Sequence, residues 1–465
     1  MFRLVGSLCA IPASRDRLCT HCMEMDTYQK GAIAMLNTST SFISVGIDVG
    51  ANFSYMSIAL PTQQIAGKPF KITHSNLSSL EGCVKAIKEA EEMYSLESRV
   101  FLESTGVYHY PLFCFLRDRG LNCYVINPII TKNSTNINIR KVENDKFDSK
   151  KVALIGLKPD LKTSVMPTDL VLNLRNLTRE YYNLMDNRSA YVNKLKGQLR
   201  MVFPQYISVF SKVTTATSLE LLDKFASPEA FIAADKNEIL EIIRKTARFG
   251  VAYAESKYAA IIEAAKVASV FGRAVPSSFT LIRLFIGFIR KYDDEIKAIL
   301  SAMNELVLAN ADELFVKQIR LIQSIKGAGL LTAVSIMCEI GNFSVFKSPK
   351  QLFAYFGLDP SVRQSGNYNS NKNKMSKRGS PIARRAIHTI AVIFIGKTRN
   401  GIAHNHVMHD YYQAKCKSKP KMVSLGAVMH KVCNVIFAIL RDNQEFSIIT
   451  PEEHNTNYQK RNFAA

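Results

Sequence analysis

The chain has 465 residues, 47% hydrophobic and 21% charged, enough for two or three domains with ordinary cores. Lys and Arg number 60 against 39 Asp and Glu, and this net charge of +21 points to a polyanionic partner. No uninterrupted apolar run approaches the roughly 18–20 residues that cross a bilayer, which argues against a membrane and leaves nucleic acid as the partner.

Residues 1–40 read as an extension or a mis-started segment, with Met23, Met25 and Met35 as alternative starts. The nine cysteines follow no framework spacing, as in a reducing cytosol. Cys19-Thr20-His21-Cys22, near Cys9, resembles a metal knuckle but has no second pair to complete a tetrahedral set.

From residue 43 to about 158, strands and helices alternate. Ser44 to Leu60 reads as a β-hairpin whose first strand ends by presenting Asp48. That carboxylate is open to two readings, a turn or capping residue or a functional ligand. A short strand at Lys71-Ile72-Thr73 and a helix from Ser78 to Tyr94 follow. Arg99 to Glu103 reads as a buried strand ending in a carboxylate, His109 to Arg119 as a helix, and Asn122 to Pro128 as a strand. The last element is a helix carrying Asp145 and Asp148, whose spacing of three puts both on one face. The pattern predicts a mixed sheet with flanking helices.

Residues 167–200 and 281–308 carry apolar residues near helical spacing, which predicts an antiparallel coiled-coil arm. Between them, residues 204–275 read as a packing insert of shorter helices broken at Pro204 and Pro228. Ile322 to Ile340 resembles half of a helix-hairpin-helix, in which Gly327 and Gly329 let backbone N–H groups approach a phosphate; an ordinary helix–helix turn is the other reading. Residues 361–421 concentrate basic side chains, among them Arg363, Lys372, Lys377, Arg378, Arg384 and Arg385, against the single acid Asp410. That concentration predicts a salt-dependent phosphate-binding surface. His404-Asn405-His406 and His409 suggest a metal nuclease only superficially, since no further part of such a motif is present.

Asp48, Glu103, Asp145 and Asp148 form an ordered set of carboxylates on a strand–strand–helix layout, able to gather hard divalent cations. A phosphotransferase of the actin or hexokinase type also begins with a Gly-x-Asp-x-Gly hairpin. It needs a second phosphate loop and an adenosine motif, and neither is found.

Gly46-Ile47-Asp48-Val49, Glu103-Ser104-Thr105-Gly106 and Asn144-Asp145-Lys146-Phe147-Asp148 resemble the acidic motifs of DEDD insertion-sequence transposases, relatives of the pilin-gene invertase and of bridge-RNA-guided recombinases. Further similarity to that family lies in Phe346 to Leu352, Tyr355-Phe356-Gly357-Leu358-Asp359-Pro360, Gln364-Ser365-Gly366, Ser376 to Ser380, and Arg384-Arg385. The resemblance covers about residues 43–440. Asn144 stands where Thr is usual and Ser149 where Ala is usual.

The resemblance implies an α/β plus all-α chain. Residues 41–165 would be a ribonuclease H-like (RuvC-like) domain, 166–315 a helical coiled-coil region, 316–440 a mostly helical transposase domain, and 441–465 a tail. It implies that Asp48, Glu103, Asp145 and Asp148 bind two magnesium (or manganese) ions. It also implies that Ser365 attacks a DNA phosphate to form a phosphoserine intermediate, which requires the two domains to close on one another, within a chain or across a dimer. Ser361, Ser376 and Ser380 compete with Ser365 on sequence alone. The implied partners are donor and target DNA, a structured guide RNA and further copies of the chain as a dimer or tetramer, in the bacterial cytoplasm at the nucleoid. Three other readings are a site-specific invertase of the same family, a RuvC-like nuclease in which water attacks, and a domesticated nucleic-acid-binding protein without catalysis.

Overall fold

A computed structural model of the chain describes residues 42–104, 106–126, 128–133, 145–161, 166–247, 249–361, 364–365, 368–369, 374–450, 452–453 and 455–456. The N-terminal extension with Cys9, Cys19, His21 and Cys22 lies outside the described residues, as do Thr105, Asn144, Arg363, Gly366 and Lys372. The chain divides into two compact units between residues 166 and 167.

The first unit is built on β1 (Phe42–Val49), β2 (Phe53–Ala59), β3 (Ile65–Thr73), β4 (Glu97–Glu103) and β5 (Asn122–Ile126). The sheet order is β3-β2-β1-β4-β5. β1 pairs antiparallel with β2 and parallel with β4, and β4 pairs parallel with β5. A meander of three strands followed by parallel crossovers is the ribonuclease H-like topology. Helices α1 (Leu77–Tyr94), α2 (His109–Arg117), α3 (Pro128–Asn133) and α4 (Asp145–Gly156) complete the unit.

β1 is buried along nearly its whole length because it is covered on both faces. Val45, Ile47 and Val49 face a core shared with Cys83, Val84 and Ile87 of α1 and Leu112 and Leu116 of α2. On the other face α4 lies against the sheet, burying Val152, Ala153 and Ile155 with Phe42 and Phe101. Gly46 makes this approach possible, since a Cβ there would stand 2.0 Å from the backbone nitrogen of Ala153. β3 is longer than Lys71 to Thr73: it starts at Ile65 and tolerates Gly67 and Pro69, as an edge strand can. Pro128 starts α3 and does not end a strand, in keeping with the preference of proline for first helical turns.

In the second unit α5 (Asp169–Val202) and α11 (Pro276–Ala309) form the long antiparallel pair. Leu174 shares a core with Met303 and Val307, Arg188 pairs with Asp293 at 2.6 Å, and the Tyr191 ring stacks on Phe288 at 4.6 Å between centroids. Between them come α6 (Tyr206–Val209), α7 (Ala216–Phe225), α8 (Pro228–Ala233), α9 (Lys236–Ala247) and α10 (Val251–Phe271). These share a core of their own with Leu195, Leu199 and Val202 of α5 and Ile282, Ile286 and Ile289 of α11. Pro228 opens α8 where the sequence suggests a break, and α10 is longer than the short helices expected.

A second core gathers the remaining helices: α12 (Leu314–Gln323), α13 (Leu330–Ile340), α14 (Pro349–Tyr355), α15 (Pro381–Ile395), α16 (His406–Cys416) and α17 (Lys421–Asp442). α17 is long and apolar enough, by length and composition, to cross a membrane. Its apolar residues, among them Leu425, Val428, Val432 and Ile436, are buried in this core. β6 (Gln364–Ser365) and β7 (Tyr368–Asn369) form a small separate hairpin.

Candidate active site

Asp48 and Glu103 occupy the C-terminal ends of β1 and β4. Those strands are parallel neighbours in a register that pairs Ile47 with Leu102, so both carboxylates leave the sheet at the same edge. Asp145 is the first residue of α4 and Asp148 lies one turn further on. α4 is held over this edge by the close approach at Gly46 and by a buried hydrogen bond of 2.8 Å between the Ser57 and Ser149 hydroxyls. Ser149 also donates to the Lys146 carbonyl at 3.0 Å, which leaves Ser57 as the donor in the shared bond. Ser149 therefore fastens the acid-bearing helix to β2.

The Asp48 carboxyl is pushed up to about 7, first by burial and then by the negative charges of Asp148, Glu103 and Asp145. Each of the three carboxylates lies near enough to Asp48 to disfavour its charged form. Lys151 offsets part of it, with its ammonium 3.1 Å from Asp148. Nothing in the sequence reading singles out Lys151, although its three-residue spacing from Asp148 is the signal that finds it. Among the described residues no group of three His, Cys, Asp or Glu side chains already stands close enough to cage a metal ion. The donor set nonetheless has the chemistry of a hard divalent cation site: all oxygen, multiply anionic and partly buried.

In the second unit Ser365 lies on β6, opposite Tyr368. The base of this hairpin is closed by a bridge between Pro360 and Met375. Each competing serine has a structural partner. Ser361 donates to the Lys374 carbonyl at 2.8 Å, Ser376 donates to the Asp359 carboxylate at 2.5 Å, and Ser380 caps α15 by accepting from the Ala383 N–H.

The basic residues divide into exposed and engaged ones. Lys377 and Arg378 are exposed. Arg384 donates to the Phe356 and Gly379 carbonyls at 3.0 and 2.6 Å, tying α15 to the preceding turns, and burial lowers its pKa. Arg385 pairs with Asp186 of α5 at 2.9 Å and lies over the Tyr182 ring. Gly327 has φ +95°, and a Cβ there would collide with the Ile393 side chain, so packing on α15 accounts for that glycine. Gly329 precedes α13 with open space around its Cα. Asn405 caps α16, and His409 bonds the Ile395 carbonyl at 2.7 Å.

Residues 45–204 match a family model for a DEDD-type IS110 transposase, and residues 319–413 match the model "Transposase IS116/IS110/IS902 family". Together they span more than half of the chain. The uncharacterized 44.8 kDa protein of insertion element IS116 from Streptomyces clavuligerus is 21% identical over 316 residues, 66% of this chain and 74% of its own length. The pilin gene-inverting proteins of Moraxella bovis and Moraxella lacunata are each 29% identical over 126 residues, 27% of this chain and 38% of theirs. The structure of T. thermophilus RuvC in complex with a Holliday junction substrate aligns with 24% of this chain and 90% of its own, at 10% identity and a TM-score of 0.19.

Proposed function

Because the chain belongs to the IS116/IS110/IS902 family of insertion-element transposases and is a DNA transposase, we propose that it cuts and rejoins DNA through a phosphoserine intermediate formed on Ser365. The observation that carries this reading is that Asp48 and Glu103 end neighbouring parallel strands beside the helix that starts with Asp145 and Asp148, and that Glu103, Asp145 and Asp148 help to raise the Asp48 carboxyl to about 7. Asp48, Glu103, Asp145 and Asp148 would hold magnesium or manganese, two ions in this reading. Divalent cations so held neutralise the phosphate and the departing oxygen during phosphodiester displacement.

The Ser365 hydroxyl attacks phosphorus, one backbone P–O bond breaks as the Oγ–P bond forms, and the proton ends on the released DNA oxygen. Rejoining reverses these bonds with a different DNA hydroxyl. Ser365 is the serine that the family resemblance selects, and Ser361, Ser376 and Ser380 are each engaged in hydrogen bonds that hold the fold. A serine hydroxyl needs activation to attack, and we assign that role to the tetrad. The division at residues 165, 315 and 440 belongs to this reading. So do a structured guide RNA bound by the basic residues of 361–421, with Lys377, Arg378, Arg384, Arg385, Gly327 and Gly329 at the nucleic acid, assembly as a dimer or tetramer, and action at the bacterial nucleoid.

The test is adduct trapping on a suicide substrate that stops the reaction after the first cut. Wild-type protein yields a covalent protein–DNA species, Ser365→Ala yields none, and Asp48→Ala cuts nothing. An adduct that persists in Ser365→Ala, or cleavage by wild type without any adduct, overturns the nucleophile and favours attack by water. Similarity to the pilin gene-inverting proteins supports a second reading, inversion of a DNA segment by the same chemistry. A plasmid with the element's ends in inverted orientation distinguishes the two: inversion flips the segment, and transposition releases it.

A further inference from the structure

On the face of the sheet that carries Asp48, a row of side chains continues toward the edge. Asp48 pairs with Tyr55 across β1 and β2, and Tyr55 pairs with Lys71 across β2 and β3. Directly paired residues project on the same face, so Asp48, Tyr55 and Lys71 stand side by side. Phe53, two residues from Tyr55, joins this row; the two rings meet edge to face at 5.8 Å and 81°. Lys71 Nζ lies 4.5 Å from the centre of the Phe53 ring. Lys146, between Asp145 and Asp148 on α4, reaches the Tyr55 ring at 5.6 Å.

α4 covers this face at Gly46 and Ser57 and starts at Asp145, so its first turn reaches Tyr55 through Lys146 and Phe53 lies further out. Phe53 is 36% exposed, and Lys71 and Lys146 are exposed. Phe53 and Tyr55 belong to β2, an interior strand, and Lys71 stands on the edge strand β3. Here an exposed Phe53 ring, a half-buried Tyr55 ring and two exposed lysines stand beside the end of the sheet that carries Asp48 and Glu103. Single-stranded nucleic acid is bound by this combination, with rings for the bases and cations for the phosphates. The tetrad itself repels phosphate, so the positive charge needed to bring a strand to it must come from its flanks.

We propose that Phe53, Tyr55, Lys71 and Lys146 form a subsite for single-stranded DNA, in which an unpaired base next to the scissile phosphate stacks on one of the Tyr55 and Phe53 rings and meets the other with its edge, while Lys71 and Lys146 turn to the adjoining phosphates. This rests on the DNA-transposase reading and adds to it a requirement for unstacked DNA at the cut.

The test uses the full-length protein in EDTA, where no cleavage occurs, with a fluorescent oligothymidylate, a duplex of equal length and an RNA oligomer. Phe53→Ala/Tyr55→Ala should lose about tenfold in affinity for the single strand and leave duplex binding unchanged. Tyr55→Phe should bind like wild type, because a ring is retained. Lys71→Ala and Lys146→Ala should each reduce the salt dependence of single-strand binding by about 0.7 in log–log slope. A 2-aminopurine base in the oligomer should be quenched by wild type but not by Tyr55→Leu, which keeps apolar bulk and provides a second readout if the double variant folds poorly. Unchanged single-strand affinity with unchanged quenching, or an equal loss on duplex, overturns the subsite. A loss confined to RNA overturns it for DNA. Wild-type protein that binds none of the three nucleic acids refutes the underlying transposase reading instead.

Discussion

Ser57 on β2 and Ser149 on α4 share a 2.8 Å hydrogen bond in a buried layer, 92 residues apart in the chain. Ser149 spends its own proton on the Lys146 carbonyl, so Ser57 has Ser149 as acceptor. In Ser149→Ala the buried Ser57 hydroxyl loses that partner, at a cost of about 1–2 kcal/mol. Ser57→Ala should cost less, because Ser149 keeps its bond to Lys146. Removing both should cost no more than Ser149→Ala alone, giving a favourable coupling in a double-mutant cycle by urea denaturation. Strictly additive costs would show that the pair does not hold the helix.

Gly46 sets the distance between that helix and the sheet. A methyl group at this position would lie 2.0 Å from the Ala153 nitrogen and 2.5 Å from the Ser149 carbonyl oxygen, both backbone atoms that no rotamer change can move away. Gly46→Ala should therefore destabilise by roughly 3 kcal/mol or more, or prevent soluble expression. Because α4 carries Asp145 and Asp148, any folded fraction should also lose cleavage. A wild-type melting curve for Gly46→Ala would refute this packing.

Much of the first unit is legible in the sequence, for physical reasons that end where tertiary partners take over. Apolar alternation and the turn after Asp48 place the hairpin, and β1 tolerates Ser44 because its hydroxyl bonds the Ala153 carbonyl at 2.7 Å. β3 is partly hidden because Gly67 and Pro69 interrupt its pattern at an edge where the missing ladder bond is tolerated. The convergence of Asp48 and Glu103 depends on strand register, which local pattern leaves undetermined. Ser361, Ser376 and Ser380 look alike until their hydrogen-bond partners are known, and Asp186 is 199 residues from the Arg385 it pairs with.

Arg384 and Arg378 test that last distinction. Arg384 is committed to the Phe356 and Gly379 carbonyls, so Arg384→Ala should lower stability by about 1–3 kcal/mol. Arg378 is exposed, and Arg378→Ala should leave the melting temperature unchanged. If Arg378 contacts a phosphate, its removal weakens DNA binding about uniformly across sequences and lowers the salt slope by about 1. Thermal melts and fluorescence anisotropy at several salt concentrations check both; the reverse pattern would reassign the two arginines.

Asp48 places a sign on the pH dependence of the metal-free protein. Its carboxyl titrates at about 7 in the fold against 3.8 ordinarily, because it is buried among Asp148, Glu103 and Asp145. Between those values the folded protein holds a proton that the unfolded chain has released, so stability falls as pH rises across that window. Below about pH 4 both states are protonated and the penalty vanishes; above about 7 it is present in full. Asp48→Asn removes the charge, so in EDTA at pH 7.5 it should melt above wild type, by about 2–4 °C for each kcal/mol of repulsion relieved. At pH 4 the two should melt together. Magnesium should raise the melting temperature of wild type and have less effect on Asp48→Asn, which has lost one anionic oxygen donor. The measurement is a series of thermal melts of both proteins from pH 4 to 8, with EDTA and with magnesium. An Asp48→Asn protein that melts below wild type in EDTA at pH 7.5 would show that the four carboxylates do not crowd one another.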